Sequence, residues 1–387
     1  MRFITGPRQC GKTTLAREKL AAEKSPQLYY LWDLRTVRDR YKKNPLFFSD
    51  DRPPAGAKGW VCFDEIHKYP RWKNVLKGIF DSAEDHYQFI VTGSAKFDIF
   101  RKAGDSLSGR YFTFHLFPLG FWEVSGTSSQ AAQSPRRADD FLKARLDSRE
   151  GSQDALRQLL QWSGFPEPFL HQSEAFHAKW REDYIDTVIK EDIGALTRII
   201  DKEHLHDLYR LLPQMVGSPL SESSLGSHLE ISNPTIKNYL KRLEDFYLSF
   251  KIHPYTKNIK RALLKAPKAY LFDWTLIDDP GFRFENFLAV QLKALLQLWS
   301  ENSADRYVLF YIRTREKEET DFLIIQNKKP WMMVEAKRSQ GRVDAHHFKL
   351  QAALGGIPMV QLCEEGGVAR IEGKNAYQMS AGRFLSV

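Results

Sequence analysis

A glycine-rich loop near the start of the chain sets the strongest limit on its fold. Residues 6–13 read GPRQCGKT and match the pattern GxxxxGK[ST], directly between the apolar run RFIT and a helical run that begins at Thr14. Such a loop turns its backbone N–H groups inward around phosphates at a helix N-terminus. The context therefore predicts an ATP-binding loop in an α/β sheet domain. The predicted nucleotide-binding residues are Gly6, Pro7, Arg8, Gln9, Cys10, Gly11, Lys12, Thr13 and Thr14.

Two side chains of this loop carry the expected chemistry. Lys12 is expected to reach the β- and γ-phosphates, and Thr13 to supply a hydroxyl to Mg²⁺. ATP and Mg²⁺ are therefore the predicted cofactors, and Lys12 is also a catalytic candidate.

Two further strand ends supply acidic and polar groups. The apolar run WVCFDE ends in Asp64, expected to hold Mg²⁺ directly or through water, and Glu65, expected to polarise the attacking water. The run FIVTGS ends at Ser94, which either senses the γ-phosphate or only closes the strand in a turn. Arg110 in SLSGRYF is either an arginine finger acting on a neighbouring subunit's nucleotide, which implies a homo-oligomer, or a surface ion pair.

Length and charge limit the remaining possibilities. A chain of 387 residues has room for two to three domains, and 42% hydrophobic with 27% charged residues is typical of globular protein. No apolar run is long enough for a membrane span, so we expect a cytoplasmic protein without a membrane partner. The three cysteines lack metal or disulfide spacing. A net charge of +9 favours an anionic partner such as DNA without proving one.

A helix-turn-helix pattern begins at Ser221. Two helices are indicated by leucine and isoleucine spacing, with Ser232 or Asn233 as the cap of the second and Pro234 at an early helical position. The second helix carries Lys237, Lys241 and Arg242, and a basic stretch follows to residue 268. Such segments either bind DNA or serve as lids and protein contacts. The DNA-binding candidates are Lys237, Lys241, Arg242, Lys257, Lys260 and Arg261.

Four ionisable residues in the C-terminal part occur in an order typical of a metal-dependent nuclease. Glu285 opens a predicted helix, Asp321 begins a predicted strand, and Glu335 and Lys337 lie two apart at the end of the next strand, hence on one face. Asp321 and Glu335 are the candidate ligands for Mg²⁺ or Mn²⁺, with Glu285 completing the site and Lys337 stabilising charge or positioning water. The same acidic residues are also compatible with plain ion pairs to Lys337 and Arg338.

These segments together resemble a known family. The stretches GPRQCGKTTLA, FDEIHKYPRWKNVLK, VTGSAKFDIF, SLSGRYFTFHLFPLGFWE, GFPEPFL and DYIDTVIKEDI are similar, in order, to prokaryotic AAA+ type ATPases with a C-terminal domain of unknown function. The resemblance implies an ATP-binding domain, a winged helix and a restriction-endonuclease-like part. The order Glu285, Asp321, Glu335-x-Lys337 is similar to archaeal Holliday-junction resolvases and other PD-(D/E)xK nucleases. One departure is that relatives usually have a helix ahead of the first strand, which here begins at residue 2.

The sequence therefore predicts an α/β protein with an AAA+ type parallel sheet over residues 1–125, a linker and helical connector over 126–203, a winged helix over 204–269, and a nuclease-like α/β domain over 270–387. The predicted function is an ATP-hydrolysing protein that acts on DNA. The alternative is a nucleotide-switched scaffold whose nuclease-like domain is inactive.

Overall fold

The computed structural model describes residues 1–52, 58–94, 107–127, 131–194, 201–256 and 265–386. The chain forms two compact units. Among the described residues, no helix combines the length and the apolar character that crossing a bilayer requires. The first unit comprises Met1–Phe117, Lys190–Ile200 and Asp245–Tyr247, and the second comprises Pro118–Ile189, Asp201–Glu244 and Leu248–Val387.

A five-stranded parallel sheet forms the centre of the first unit. Its spatial order is β2-β3-β4-β1-β5, and each neighbouring pair runs parallel. Because β3, β4 and β1 are neighbours and run parallel, the segments that follow these three strands leave the sheet side by side at the same end. The strands are β1 (Arg2–Thr5), β2 (Tyr29–Leu31), β3 (Gly59–Asp64), β4 (Tyr87–Gly93) and β5 (Phe112–His115).

Helices cover both faces of this sheet. Alternate residues of β3 point to opposite sides: Cys62 packs with Leu20 of the first helix, whereas Phe63 packs with Leu76 of the fourth. A sheet buried on both faces is the arrangement expected for parallel strands, and it confirms the predicted parallel α/β architecture. The helices of this unit are α1 (Lys12–Ala22), α2 (Arg35–Lys43), α3 (Phe48–Asp51) and α4 (Trp72–Ala83).

Helices dominate the chain between the two sheets, as the sequence pattern from Phe141 to about Val216 predicts. A π-helical segment, Thr187–Ile193, directly follows the helix that ends at Asp186. These helices are α5 (Phe121–Val124), α6 (Ala138–Asp147), α7 (Gln153–Trp162), α8 (Pro166–His171), α9 (Glu174–Asp186) and α10 (Lys202–Leu211).

A helix, turn and helix follow, in the order that the sequence predicts. They are α11 (Glu222–Leu229) and α12 (Asn233–Asp245). The Ser232 hydroxyl accepts a hydrogen bond from the backbone N–H of Thr235 at 3.3 Å, so Ser232 provides the cap of α12. Gly226 permits the tight turn, because a Cβ there would lie 2.8 Å from the carbonyl oxygen of Ile231.

An eight-stranded mixed sheet forms the rest of the second unit, in the order β12-β13-β11-β10-β9-β8-β6-β7. The antiparallel pair that follows the two helices joins this sheet, since β6 pairs with β8. The predicted border at residues 269 and 270 thus lies within β7. The strands are β6 (Ser249–Pro254), β7 (Lys268–Leu271), β8 (Tyr307–Arg313), β9 (Glu319–Gln326), β10 (Lys329–Lys337), β11 (Met359–Cys363), β12 (Ala369–Gly373) and β13 (Ala376–Ser380).

Three helices accompany this sheet: α13 (Pro280–Asn302), α14 (Ala345–Ala353) and α15 (Ala381–Leu385). The long helix α13 buries most of its residues, and Trp299 near its end packs against Trp331 of β10. Phe348 of α14 packs on a cluster that contains Met333 of β10. Glu335 and Lys337 continue the row of Met333 along the strand, so the helix α14 and these two residues share one face of the sheet.

Candidate functional site

The glycine-rich loop joins β1 to α1 at the edge where the strands end. Gly6 has φ +153° and Gly11 has φ +98°, conformations that favour glycine. A Cβ at Gly6 would lie 1.9 Å from the carbonyl oxygen of Leu116. The two glycines therefore permit a loop that no other residue type could form without strain.

The Lys12 side chain is buried inside this loop. Its ammonium donates hydrogen bonds to the carbonyl oxygens of Gly6 at 3.1 Å and Pro7 at 2.5 Å. Both acceptors are neutral, so phosphate oxygens would bind the same ammonium more strongly than its present partners. Lys12 therefore stays a predicted phosphate ligand, with its ammonium held inside the loop by neutral partners.

Asp64 links the end of β3 to this loop. Its carboxylate is buried and accepts a hydrogen bond from the Thr13 hydroxyl at 2.8 Å. The hydroxyls of Tyr29 and Thr92, on the two strands beside β3, also donate to it. Thr13 and Asp64 thus present two adjacent oxygens, the donor type that Mg²⁺ prefers.

Glu65 follows in a left-handed backbone conformation, with φ +57°. Burial raises the pKa of its carboxyl to about 7, although Lys68 lies 3.6 Å away. His67 lies 3.5 Å from the same carboxylate, and burial lowers its pKa to about 3, so its imidazole is neutral at pH 7. A carboxyl with a pKa near neutrality is suited to accept a proton from water.

Ser94 and Arg8 share a partner that sequence reasoning missed. The buried Asp192 accepts from Arg8 at 2.8 Å, and the Ser94 hydroxyl lies 3.5 Å from its other carboxylate oxygen. Asp192 belongs to the π-helical segment, a geometry that is frequent at functional sites. The signal in the sequence was the KEDI stretch of the family resemblance, but its contact with the loop is visible only in the fold.

Arg110 lies at the end of the sheet where the parallel strands β1 and β5 begin, away from the glycine-rich loop. It precedes β5, whose first residue, Phe112, pairs with Arg2 at the start of β1. Its guanidinium forms two hydrogen bonds to Asp81, at 2.7 and 3.1 Å. The length of β1 therefore separates Arg110 from the phosphate loop of its own chain, and action on a neighbouring subunit stays a prediction.

The second unit brings together ionisable residues from α13, β9 and β10. Asp321 accepts from the backbone N–H of Ala336 at 3.0 Å, while Glu335 faces the N–H of Asp321 at 3.3 Å and the Lys337 ammonium at 2.9 Å. A β-bulge lies here, because the register passes from Phe310↔Leu323 to Ile312↔Thr320. Bulges redirect side chains and are frequent beside active sites.

Lys268 and Glu319 belong to this cluster, although the sequence pattern indicated neither. Lys268 ends the predicted basic stretch, yet its side chain is buried. Its ammonium lies 3.1 Å from Glu285, 2.5 Å from Glu319 and 3.6 Å from Asp321. Tyr270 also donates to Glu285, at 2.7 Å. Lys268 is therefore an internal counter-ion and is not available to DNA phosphates.

Burial makes the Glu285 and Glu335 carboxyls reluctant to ionise. It raises the pKa of Glu285 and of Glu335, and the charge of Asp321 raises both further. Oxygen donors of this kind fit Mg²⁺ or Mn²⁺ at Asp321 and Glu335. At Glu285 the fit is poorer, since the Lys268 ammonium already neutralises that carboxylate.

The DNA-binding candidates divide into two groups. Lys237 and Lys241 lie exposed on α12, and Arg242 beside them is partly buried. Lys257, Lys260 and Arg261 lie outside the described residues.

Comparison with known families now adds to this geometry. Residues 1–125 match the model of the AAA domain family. The chain carries an AAA-type domain at its N-terminus. This P-loop ATPase-like domain contains the glycine-rich loop, Asp64, Glu65, Ser94 and Arg110. Residues 153–278 match a domain of unknown function, DUF8612.

Relatives extend the similarity beyond the AAA domain. Uncharacterized proteins of Mycobacterium tuberculosis and Mycobacterium bovis are each 26% identical over 344 residues, covering 85% of this chain and 68% of theirs. An uncharacterized protein of Haemophilus influenzae is 24% identical over 287 residues, covering 70% of this chain and 67% of its own. These alignments thus extend beyond the AAA domain into the second unit.

The raised pKa of Glu65 predicts a pH-dependent stability. Because the folded protein favours the protonated carboxyl, the wild type loses stability as pH rises from 4.5, the ordinary value, through about 7. Without nucleotide, Glu65→Gln should match the wild type near pH 4.5 and be more stable at pH 8, by at most about 3 kcal/mol. Urea unfolding at several pH values measures this difference. The exposed Glu84→Gln is the control, and an equal pH profile for the two variants would contradict the assignment.

Proposed function

We propose that the protein binds ATP with Mg²⁺ and hydrolyses it. The observation that carries the proposal is the hydrogen bond between Thr13 and Asp64, which places the end of β3 against a loop that already holds Lys12. This is the arrangement that phosphoryl transfer requires: a cation for the phosphates, a hydroxyl and a carboxylate for the metal, and a base nearby.

Each residue has a defined task in this proposal. Lys12 exchanges its carbonyl partners for phosphate oxygens, Thr13 and Asp64 hold Mg²⁺ directly or through water, and Glu65 orients and deprotonates the attacking water. Ser94 senses the γ-phosphate, and release from Asp192 accompanies that contact.

Lys12→Ala should remove ATP binding, because the neutral carbonyls of the loop cannot attract phosphate by themselves. We expect the dissociation constant for Mg-ATP to rise at least about 100-fold, since hydrogen bonds between charged groups are the strong ones. Isothermal titration calorimetry with the full chain measures it. Lys19→Ala on the same helix is the matched control and should bind as the wild type does. Unchanged affinity in Lys12→Ala would sink the nucleotide-site assignment.

We further propose that the protein acts on DNA through α11, α12 and the β6–β7 pair as a winged helix. Two observations support this: the capped helix pair with its tight turn at Gly226, and the exposure of Lys237 and Lys241 one turn apart on α12. Side chains spaced by four residues lie on one helix face. The net charge of +9 agrees with a polyanionic partner.

Replacing Lys237 and Lys241 together with alanine should weaken duplex binding and flatten its salt dependence. Two lost phosphate contacts reduce the slope of log affinity against log salt by about 2. Fluorescence anisotropy at several salt concentrations gives the slope. The matched control replaces the exposed Lys42 and Lys43, with the same loss of charge, and should keep the wild-type slope. Equal slopes in both double variants would remove α12 from the DNA interface.

A second candidate function is a nucleotide-switched scaffold with an inactive nuclease-like domain. The observation that favours it is the Lys268 ammonium, which lies among three carboxylates where a nuclease would need a metal ion. In this candidate, ATP binding drives assembly or partner capture, and the second unit only binds.

Strand cleavage separates the two candidates. A labelled panel of single-stranded, duplex and branched DNA is incubated with Mg²⁺ or Mn²⁺, with and without ATP. Cleavage that is lost in Lys337→Ala supports the nuclease. No cleavage with a retained mobility shift supports the scaffold.

A further inference from the structure

The first turn of α14 brings together three potential metal ligands. Asp344 is the N-cap residue of this helix, yet its side chain makes no capping hydrogen bond. His346 and His347 follow it, and one ligand atom from each of the three residues lies within 4.8 Å of the other two. Two adjacent histidines do not have the ligand spacing typical of zinc sites, so only the fold reveals the group.

The His347 imidazole is fully buried, and one of its nitrogens lacks a hydrogen-bond partner among the residues that the structure describes. Nδ1 pairs with the Thr320 hydroxyl at 2.9 Å, whereas Nε2 has no hydrogen bond and lies 3.7 Å from a carboxylate oxygen of Glu335. A distance of 3.7 Å is too long for a hydrogen bond, so among the described residues this nitrogen stays open to a ligand.

The His346 ring is oriented by the sheet. Its Nε2 lies 2.9 Å from the carbonyl oxygen of Glu319. Because a carbonyl only accepts hydrogen bonds, Nε2 carries the proton and Nδ1 keeps its lone pair. Metal-bound histidines usually donate their second N–H to a carbonyl or carboxylate in this way, which holds the ring in place.

The local charges also suit a cation. The Asp344 carboxylate lies beside the two imidazoles, and the Glu335 carboxylate lies 3.7 Å from His347. Lys337 supplies one positive charge to Glu335, at 2.9 Å.

We propose that Asp344, His346 and His347 bind one divalent transition-metal ion of the Zn²⁺ class, with water in the remaining coordination position. Two imidazole nitrogens and one carboxylate oxygen suit Zn²⁺, whereas Mg²⁺ requires oxygen ligands. The site uses neither Asp321 nor the phosphate loop. It does not depend on the ATPase or DNA proposals, although it lies beside the nuclease-like carboxylates.

The test uses the full chain after removal of metals by a chelator, without nucleotide. Calorimetry should show one Zn²⁺ bound per chain, and a large excess of Mg²⁺ should leave this binding unchanged. Asp344→Asn and His346→Ala should each raise the dissociation constant at least about tenfold, the lower end of the loss seen when outer contacts of metal sites are removed. Visible absorption of Co²⁺ bound in place of Zn²⁺ should change in the same variants.

The matched controls lie at the start of α10. There Asp201 is the N-cap residue and His204 follows three positions later, the same spacing as Asp344 and His347, and His204 contacts the Asp201 carboxylate. Asp201→Asn and His204→Ala should therefore bind Zn²⁺ as the wild type does. Both test residues are at least partly exposed, so folding of their variants is not in question.

Three results would overturn the proposal. The first is no Zn²⁺ binding by the wild type. The second is equal affinity in Asp344→Asn, His346→Ala and the wild type. The third is evidence that the ion has other ligands. Such evidence is a loss of Zn²⁺ binding in Asp321→Asn while Asp344→Asn and His346→Ala retain it, or a thiolate absorption band with Co²⁺.

Discussion

The buried carboxylate of Asp64 is the interaction on which the nucleotide site depends. Hydroxyls of Thr13, Tyr29 and Thr92 donate to it, from the phosphate loop and from the strands on either side. A buried carboxylate is costly unless its oxygens are hydrogen-bonded, so the three donors and the acid hold one another in place. Asp64 thereby fixes the positions of the loop, β3 and β4 relative to one another. Glu65 follows Asp64 directly in the chain.

The two units handle buried charge in different ways. In the first, the Lys12 ammonium rests on neutral carbonyls that a phosphate can replace. In the second, Lys268 pairs with Glu285 and Asp321, and breaking a buried ion pair of this kind is costly. The first site is therefore prepared to exchange partners, whereas the second is largely neutralised from within. A first site that can exchange partners fits the ATPase proposal, whereas a second site that is already neutralised fits the scaffold alternative. Within the second unit, His347 is therefore the better place to look for a metal ion.

Local patterns predicted much of the fold and little of the long-range chemistry. The loop at residues 6–13, the parallel sheet and the helix pair, with its cap at Ser232 or Asn233, follow from periodicity and turn residues. Asp192 and Lys268 could not be found in this way, because their partners lie about 100 residues away or on separate strands. The pairing of β6 with β8, which joins the antiparallel pair β6–β7 to the C-terminal sheet, is likewise a tertiary contact that no local pattern encodes.

The central claim is that Glu65 activates water for hydrolysis of ATP held by the loop. The most direct measurement is phosphate release from Mg-ATP by the wild type and by Glu65→Gln, with ATP affinity measured on the same samples. Removing a general base should lower the rate about 100-fold or more while binding is retained. Equal rates at equal affinity, or no hydrolysis by a wild type that binds ATP, would contradict the account.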